Sequence, residues 1–151
     1  MDGTTEAQSP WTPRLIESGA WAGWTGYDTD PYENLAGPFY ARRDESGRMV
    51  CAFRAEKKHM NASGFMHGGC MATFADYALF VIGEEALAGT GSVTASLNCE
   101  FVDSAREGEL IEARGEVVRA GGSMVFLRGL IKSGERPLLS FTAIIKKIRR
   151  R

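Results

Sequence analysis

The sequence predicts a single α+β domain in which one long helix is covered by an antiparallel sheet, and three observations lead there. From Gly69 onward, Met71, Phe74, Ala75, Ala78, Leu79 and Ile82 recur at spacings of three and four, the mark of one apolar helix face. The chain after this stretch turns to period-two patterns joined by short glycine-bearing links, which imply antiparallel strands. Finally, 151 residues with 44% apolar content are enough for one core and too few for two ordinary domains.

Taken in order, residues 1 to about 12 are polar and carry Pro10 and Pro13, the composition of a loose tail. Leu15 to Trp24 reads as a short helix that its glycines weaken, and Tyr27 to Gly37, with Asp28, Asp30, Pro31 and Asn34, reads as a loop. Phe39–Arg43 and Met49–Ala55 flank Asp44-Glu45-Ser46-Gly47 and form a β-hairpin. The long helix runs from about Gly68 to between Gly83 and Ala88. Next, Val93, Ala95, Leu97, Cys99 and Phe101 alternate without a break with Ser92, Thr94, Ser96, Asn98 and Glu100, a half-buried strand with Thr94 on its polar side. Leu110–Arg119, Ser123–Lys132 and Leu138–Ile148 supply three more strands, joined at Ala120-Gly121-Gly122 and Ser133-Gly134-Glu135. The apolar helix face is best buried by a sheet of five to six strands curling around it. The expected organisation is an N-terminal tail over residues 1–36, a domain over 37–148 and a basic tail over 149–151.

A formal charge of −1 argues against a general nucleic-acid binder. There is no basic n-region with an apolar stretch at the start, and no run of some 18 apolar residues, so a cytoplasmic protein without membrane insertion is expected. Cys51, Cys70 and Cys99 are odd in number and widely spaced, which suits reduced thiols. With only His59 and His67 as imidazoles, no metal-ligand spacing is present, and no metal site is expected.

The chemistry concentrates between Asn61 and Asp76, in Asn61-Ala62-Ser63-Gly64-Phe65-Met66-His67-Gly68-Gly69 and the helix that follows. A helix opening at Gly68 or Gly69 leaves its first N–H groups unpaired, donors that can hold an oxyanion. Glycine also lets a substrate carbonyl come close to the backbone. Asp76 falls off the apolar face: at about 100° per residue it lies with Gly69, Ala72 and Gly83. A carboxylate in such a strip of small residues is incompletely hydrated and suited to act as a base. Each feature alone has a structural reading: His-Gly-Gly as a turn, His67 as a cap, Asn61 as an Asx turn.

Together, Asn61, His67-Gly68-Gly69 and Asp76 resemble the active-site segment of the PaaI-like acyl-CoA thioesterases, a branch of the hotdog-fold superfamily. Gly91-Ser92-Val93-Thr94-Ala95-Ser96-Leu97-Asn98 is similar to the strand after that family's central helix, with Thr94 at the position of its catalytic serine or threonine. The similarity runs from about Pro38 to Ile148. It implies a hotdog fold and hydrolysis of acyl-CoA thioesters, with no cofactor beyond the coenzyme A of the substrate. It implies Asp76 as general base or nucleophile, the Gly68 amide as oxyanion donor, Asn61 and Thr94 as orienting groups, and His67 beside the carbonyl site. It further implies a homodimer, often doubled to a tetramer, in which the Asn and His-Gly loop of one chain faces the Asp and Thr of the other.

For substrate and CoA contact, Gly69 stands next to the carbonyl site. Arg119, Arg128, Lys146, Lys147, Arg149, Arg150 and Arg151 are the candidates for the phosphates. Met66, Met71 and Phe74 either line an acyl tunnel or belong to the core. Two other readings stand beside hydrolysis. One is a hotdog hydratase or dehydratase acting on hydroxyacyl thioesters. The other is a non-catalytic acyl-CoA binding protein, which would have no need of a base at Asp76.

Overall fold

The structure is a computed structural model and describes residues 12–148. Strands β1 (Arg14–Leu15) and β2 (Thr25–Gly26) are followed by helix α1 (Pro31–Ala36), strands β3 (Tyr40–Arg43) and β4 (Met49–Arg54) and a 3-10 turn at Lys57–His59. Helix α2 (Gly68–Ile82) and the short α3 (Glu84–Leu87) then lead into β5 (Gly91–Phe101), β6 (Leu110–Ala120), β7 (Met124–Ser133) and β8 (Arg136–Ile148). All strands join one sheet in the order β1-β2-β3-β4-β6-β7-β8-β5, and every pairing is antiparallel. The two strands beyond the expected six are the two-residue β1 and β2. Among the described residues no helix is long and apolar enough to cross a membrane.

The expected central helix and the strands around it are present, with α2 lying on one face of the sheet. Met71, Phe74, Ala75, Ala78 and Leu79 are buried there against Phe53, Ile111, Ile131, Leu139, Phe141 and Ile145. Burying a large aliphatic or aromatic side chain of this kind contributes about 1.5–3 kcal/mol, so this face dominates the stability. Gly115 and Gly129 are cross-strand partners in the middle of the sheet. A Cβ at Gly115 would lie 2.9 Å from Ile82 Cδ1, and one at Gly129 would collide with the Phe141 ring. The absent side chains let the end of α2 and Phe141 settle into the sheet.

The N-terminal region corrects two expectations. Residues 15–24 form no helix: Arg14 and Leu15 pair with Gly26 and Thr25, and the intervening chain turns through Gly19 and Gly23, both at positive φ. Trp21 and Trp24 instead cover the outer face of the sheet. Trp24 buries itself with Val50 and Ala52, Trp21 stacks on Tyr40 with centroids 4.2 Å apart, and the Arg42 guanidinium lies 4.4 Å over Trp24. β4 is therefore buried on both faces. Residues 27–37 are not all loop either. α1 forms because Asp30 caps it, its Oδ1 accepting from Glu33 N at 2.9 Å, and Pro31 starts it with φ already suited to a helix.

The third correction lies in β5. Its alternation is broken by a bulge at Ala95: Thr94 pairs with Ile145 and Ser96 with Ile144, so Ala95 is one extra residue of β5 with no partner on β8. Cross-strand partners share a face, and Ile145 is fully buried. Thr94 therefore faces α2, as do Leu97 and Cys99 beyond the bulge, opposite buried Ala143 and Phe141. Val93 points outward and is exposed.

Candidate active site

The loop before α2 is held by its own side chains. Asn61 Oδ1 accepts from Ser63 N at 2.9 Å and Phe65 N at 3.2 Å, and the turn passes through Gly64 at φ +78°, a conformation that favours glycine. The Asx turn occupies the Asn61 oxygen and leaves its NH₂ group outward. His59 anchors the loop from beneath and is buried. Its Nδ1 accepts from Glu56 N at 2.9 Å and its Nε2 lies 2.7 Å from Ala36 O. An accepting Nδ1 assigns the proton to Nε2, which then donates to Ala36. The His59 carbonyl accepts from His67 N at 2.8 Å, so one buried ring ties α1, the 3-10 turn and the His67 loop together.

His67 is the N-cap of α2, its Nδ1 accepting from Gly69 N at 2.9 Å. Its carbonyl accepts from Cys70 N and Met71 N. Of the first amides of α2, the Gly68 N–H alone has no partner among the described residues, and it sits at the positive end of the helix. The Gly69 amide is engaged by His67. By the same tautomer argument the His67 Nε2 carries a hydrogen, and the exposed ring offers it outward. Phe101 flanks the opening, 3.2 Å from where a Gly68 Cβ would stand.

Asp76 lies two turns further along α2 and is half-buried. Thr94 Oγ1 donates to Asp76 Oδ1 at 2.6 Å, while Oδ2 accepts from no other described residue. The bulge at Ala95 makes this bond, because it turns Thr94 toward the helix while the rest of β5 keeps its apolar side inward. On the other side of the same helix face, Thr73 Oγ1 donates to Gly69 O at 2.8 Å. Thr73 then accepts from the Tyr32 hydroxyl of α1 at 3.1 Å. Glu33 of α1 is half-buried, and burial, with the charges of Asp30 and Asp76, pushes its carboxyl up to about 7.

Other sequence candidates fall elsewhere. Met66, Met71 and Phe74 are core residues, at most 3% exposed. Arg128 is on the outer face of the sheet, where its Nε donates to Glu116 at 2.7 Å. Arg119 also faces outward, beyond a second bulge at Val118 and opposite Phe126. Lys146 and Lys147 end β8, and Arg149, Arg150 and Arg151 lie outside the described residues. The cysteines are free, with burial raising the Cys51 thiol and pushing Cys70 up to about 11, so both stay protonated at neutral pH. No cluster of metal-ligating side chains occurs among the described residues.

Tyr32 and His59 were not among the sequence candidates for the site. The Asp30-Pro31 pair was a readable helix start for the first; nothing local marked the second.

The family model described as the thioesterase superfamily matches residues 63–140. A Pseudomonas aeruginosa protein, PA0474, which carries the provisional name of an esterase, is 32% identical over 119 residues, covering 78% of this chain and 89% of that one. Human acyl-coenzyme A thioesterase 13 is 26% identical over 95 residues, 63% of this chain and 68% of its own. Among solved structures, the Escherichia coli PaaI protein from the phenylacetic acid degradation operon superposes with a TM-score of 0.71 at 17% identity, over 82% of this chain and 88% of that one. The Bacillus halodurans protein BH2602, solved with CoA, gives a TM-score of 0.68 at 22% identity over 74% of each chain. These structural likenesses establish the hotdog fold.

Proposed function

The chain belongs to the thioesterase superfamily, and from that premise we propose that it hydrolyses acyl-CoA thioesters to the free acid and CoA. The observation that carries the reading is the Thr94–Asp76 bond of 2.6 Å, which fixes one carboxylate oxygen and leaves the other for chemistry. Asp76 Oδ2 takes a proton from water as the water oxygen bonds to the thioester carbon. Negative charge collects on the carbonyl oxygen, where the Gly68 N–H stabilises it, one such donor being worth roughly 10²–10³ in rate. The Asn61 NH₂ and His67 Nε2–H orient the same carbonyl. Collapse of the tetrahedral centre breaks the C–S bond, and the CoA thiolate takes up the proton. Direct attack by Asp76 through an anhydride would give the same products.

Gly68 and Asp76 are eight residues apart on α2, a rise of about 12 Å. Donor, carbonyl, water and base need successive contacts of only about 3 Å each, which favours pairing the Gly68 of one chain with the Asp76 of another. β5 supports a homodimer: it is eleven residues long, lies at the sheet edge and leaves one side of its backbone free to pair with a second copy. Exposed Val118, Met124 and Phe126 on the outer face suit a further doubling to a tetramer. A thiol-release assay over acyl-CoAs, with Asp76→Ala beside wild type, tests the chemistry. Sedimentation equilibrium tests the assembly, where a mass of one chain would count against the shared site.

A further inference from the structure

We propose that α1 is the wall of the acyl pocket, with Tyr32 and Leu35 as the residues that set which acyl groups fit; this rests on the hydrolytic reading above. Gly69, Thr73 and Asp76 lie on one face of α2 at spacings of four and three. β5 closes on that face from the Asp76 side through Thr94, and α1 closes on it from the Thr73 side through the Tyr32 hydroxyl at 3.1 Å. The far end of α1 is held at the His67 end of the site, where Ala36 O accepts from the His59 ring at 2.7 Å and Leu35 O from Lys58 Nζ at 3.4 Å. The helix therefore runs alongside the Gly69–Thr73–Asp76 face of α2, with Tyr32 at Thr73 and its Leu35–Ala36 end held at the 3-10 turn below the His67 loop.

Tyr32 and Leu35 are three apart on the same side of α1, and they are 62% and 74% exposed, large apolar surfaces that the other described residues leave uncovered. The fold pins the backbone of α1 yet gives these two side chains no place in the core, the arrangement expected of residues that meet a ligand. Charge decides which end of the thioester they meet. Helix α1 has no Lys or Arg of its own, Asp28 beside it is paired with Arg14, and Lys58 turns its Nζ to the Leu35 carbonyl, so Tyr32 and Leu35 offer the phosphates of CoA no free cation and suit the uncharged acyl group.

The test pairs binding with turnover. Binding of non-hydrolysable S-alkyl-CoA thioethers from ethyl to hexadecyl is measured by calorimetry for wild type, Tyr32→Ala, Leu35→Ala, Leu35→Trp and Tyr32→Phe. Thiol release is followed on the matching acyl-CoAs from acetyl to palmitoyl. A pocket wall changes discrimination by about tenfold or more per group that no longer fits. Leu35→Trp should thus lose long-chain binding by at least about tenfold relative to short, the Ala variants should shift preference toward bulkier groups, and Tyr32→Phe should keep the wild-type order. Equal effects on all chain lengths, or an unchanged preference in every variant, would overturn the wall. Turnover with an unshifted preference would leave hydrolysis standing and remove this inference. A shifted binding preference in a chain that releases no thiol would do the reverse.

Discussion

In the loop from Asn61 to Gly69, nearly every side-chain acceptor is turned back on its own backbone, whereas Asp76 and Thr94 reach from one element to another. Asn61 Oδ1 and His67 Nδ1 accept from amides two to four residues away. Thr94 crosses from β5 to α2 and leaves an Asp76 oxygen open. In the proposed reaction the loop half is thus a rigid frame that presents the Gly68 N–H, the Asn61 NH₂ and the His67 Nε2–H to the carbonyl, and the helix–strand half is where a proton would move. Residue types that draw attention in the sequence therefore divide into those that hold the site and those that work in it.

The sharpest way to break that division is at Asp76. Asp76→Ala and Asp76→Asn should lower kcat for thiol release by roughly 10²–10⁴, the usual contribution of a positioned base, with melting temperatures close to wild type. Unchanged turnover would move the base elsewhere. A smaller effect belongs to Thr94→Val, which removes a hydrogen bond to a charged group and should cost about tenfold to a hundredfold in kcat. Thr94→Ser, which keeps the hydroxyl, should recover most of it.

On the loop side the expected effect is first on stability, with a loss of kcat from the missing Nε2–H smaller than that of Asp76→Ala. His67→Ala removes an N-cap worth about 1 kcal/mol, a melting-temperature drop of roughly 2–4 °C in a chain of this size. His67→Asn should restore most of the drop, since Asn also caps. If His67→Ala lowered kcat as far as Asp76→Ala and Asn failed to rescue it, the frame-and-base distinction would fall. The smallest effect comes from Glu33. Its folded value of about 7 lies above the ordinary 4.5, so the folded chain holds the proton more tightly and its stability falls as pH rises between those values. Calorimetric melts should show Glu33→Gln gaining on wild type from pH 5 to pH 8; parallel curves would mean that Glu33 ionises freely.

The central helix, the hairpin and the four long strands were readable because their apolar periods match what the core requires. The Asp76 and His67-Gly68-Gly69 pattern was readable because it is local. The bulge was not. Val93, Ala95 and Leu97 alternate as in an unbroken strand, and the extra residue is set by where Ile144 and Ile145 fall on β8, which no window of β5 contains. Thr94 was thus the right residue placed on the wrong face. The same holds for the N-terminal region: Trp21 and Trp24 look helical in spacing, but their partners Tyr40, Val50 and Ala52 are supplied by strands 16 or more residues away in the chain. His59 escaped notice because its role is to join three elements, and that is decided only once they have packed.

The outer layer of Trp21 and Trp24 also determines what light would report. Trp11 lies outside the described residues; Trp21 and Trp24 both sit in the sheet's N-terminal cover and neither lies in the α2 core, so their indole emission watches that cover. Peeling of residues 14–26 from Val50 and Ala52 would shift that emission before the helix melts. A fluorescence midpoint lower than the far-ultraviolet dichroism midpoint would then measure the grip of this cover and not the stability of the fold.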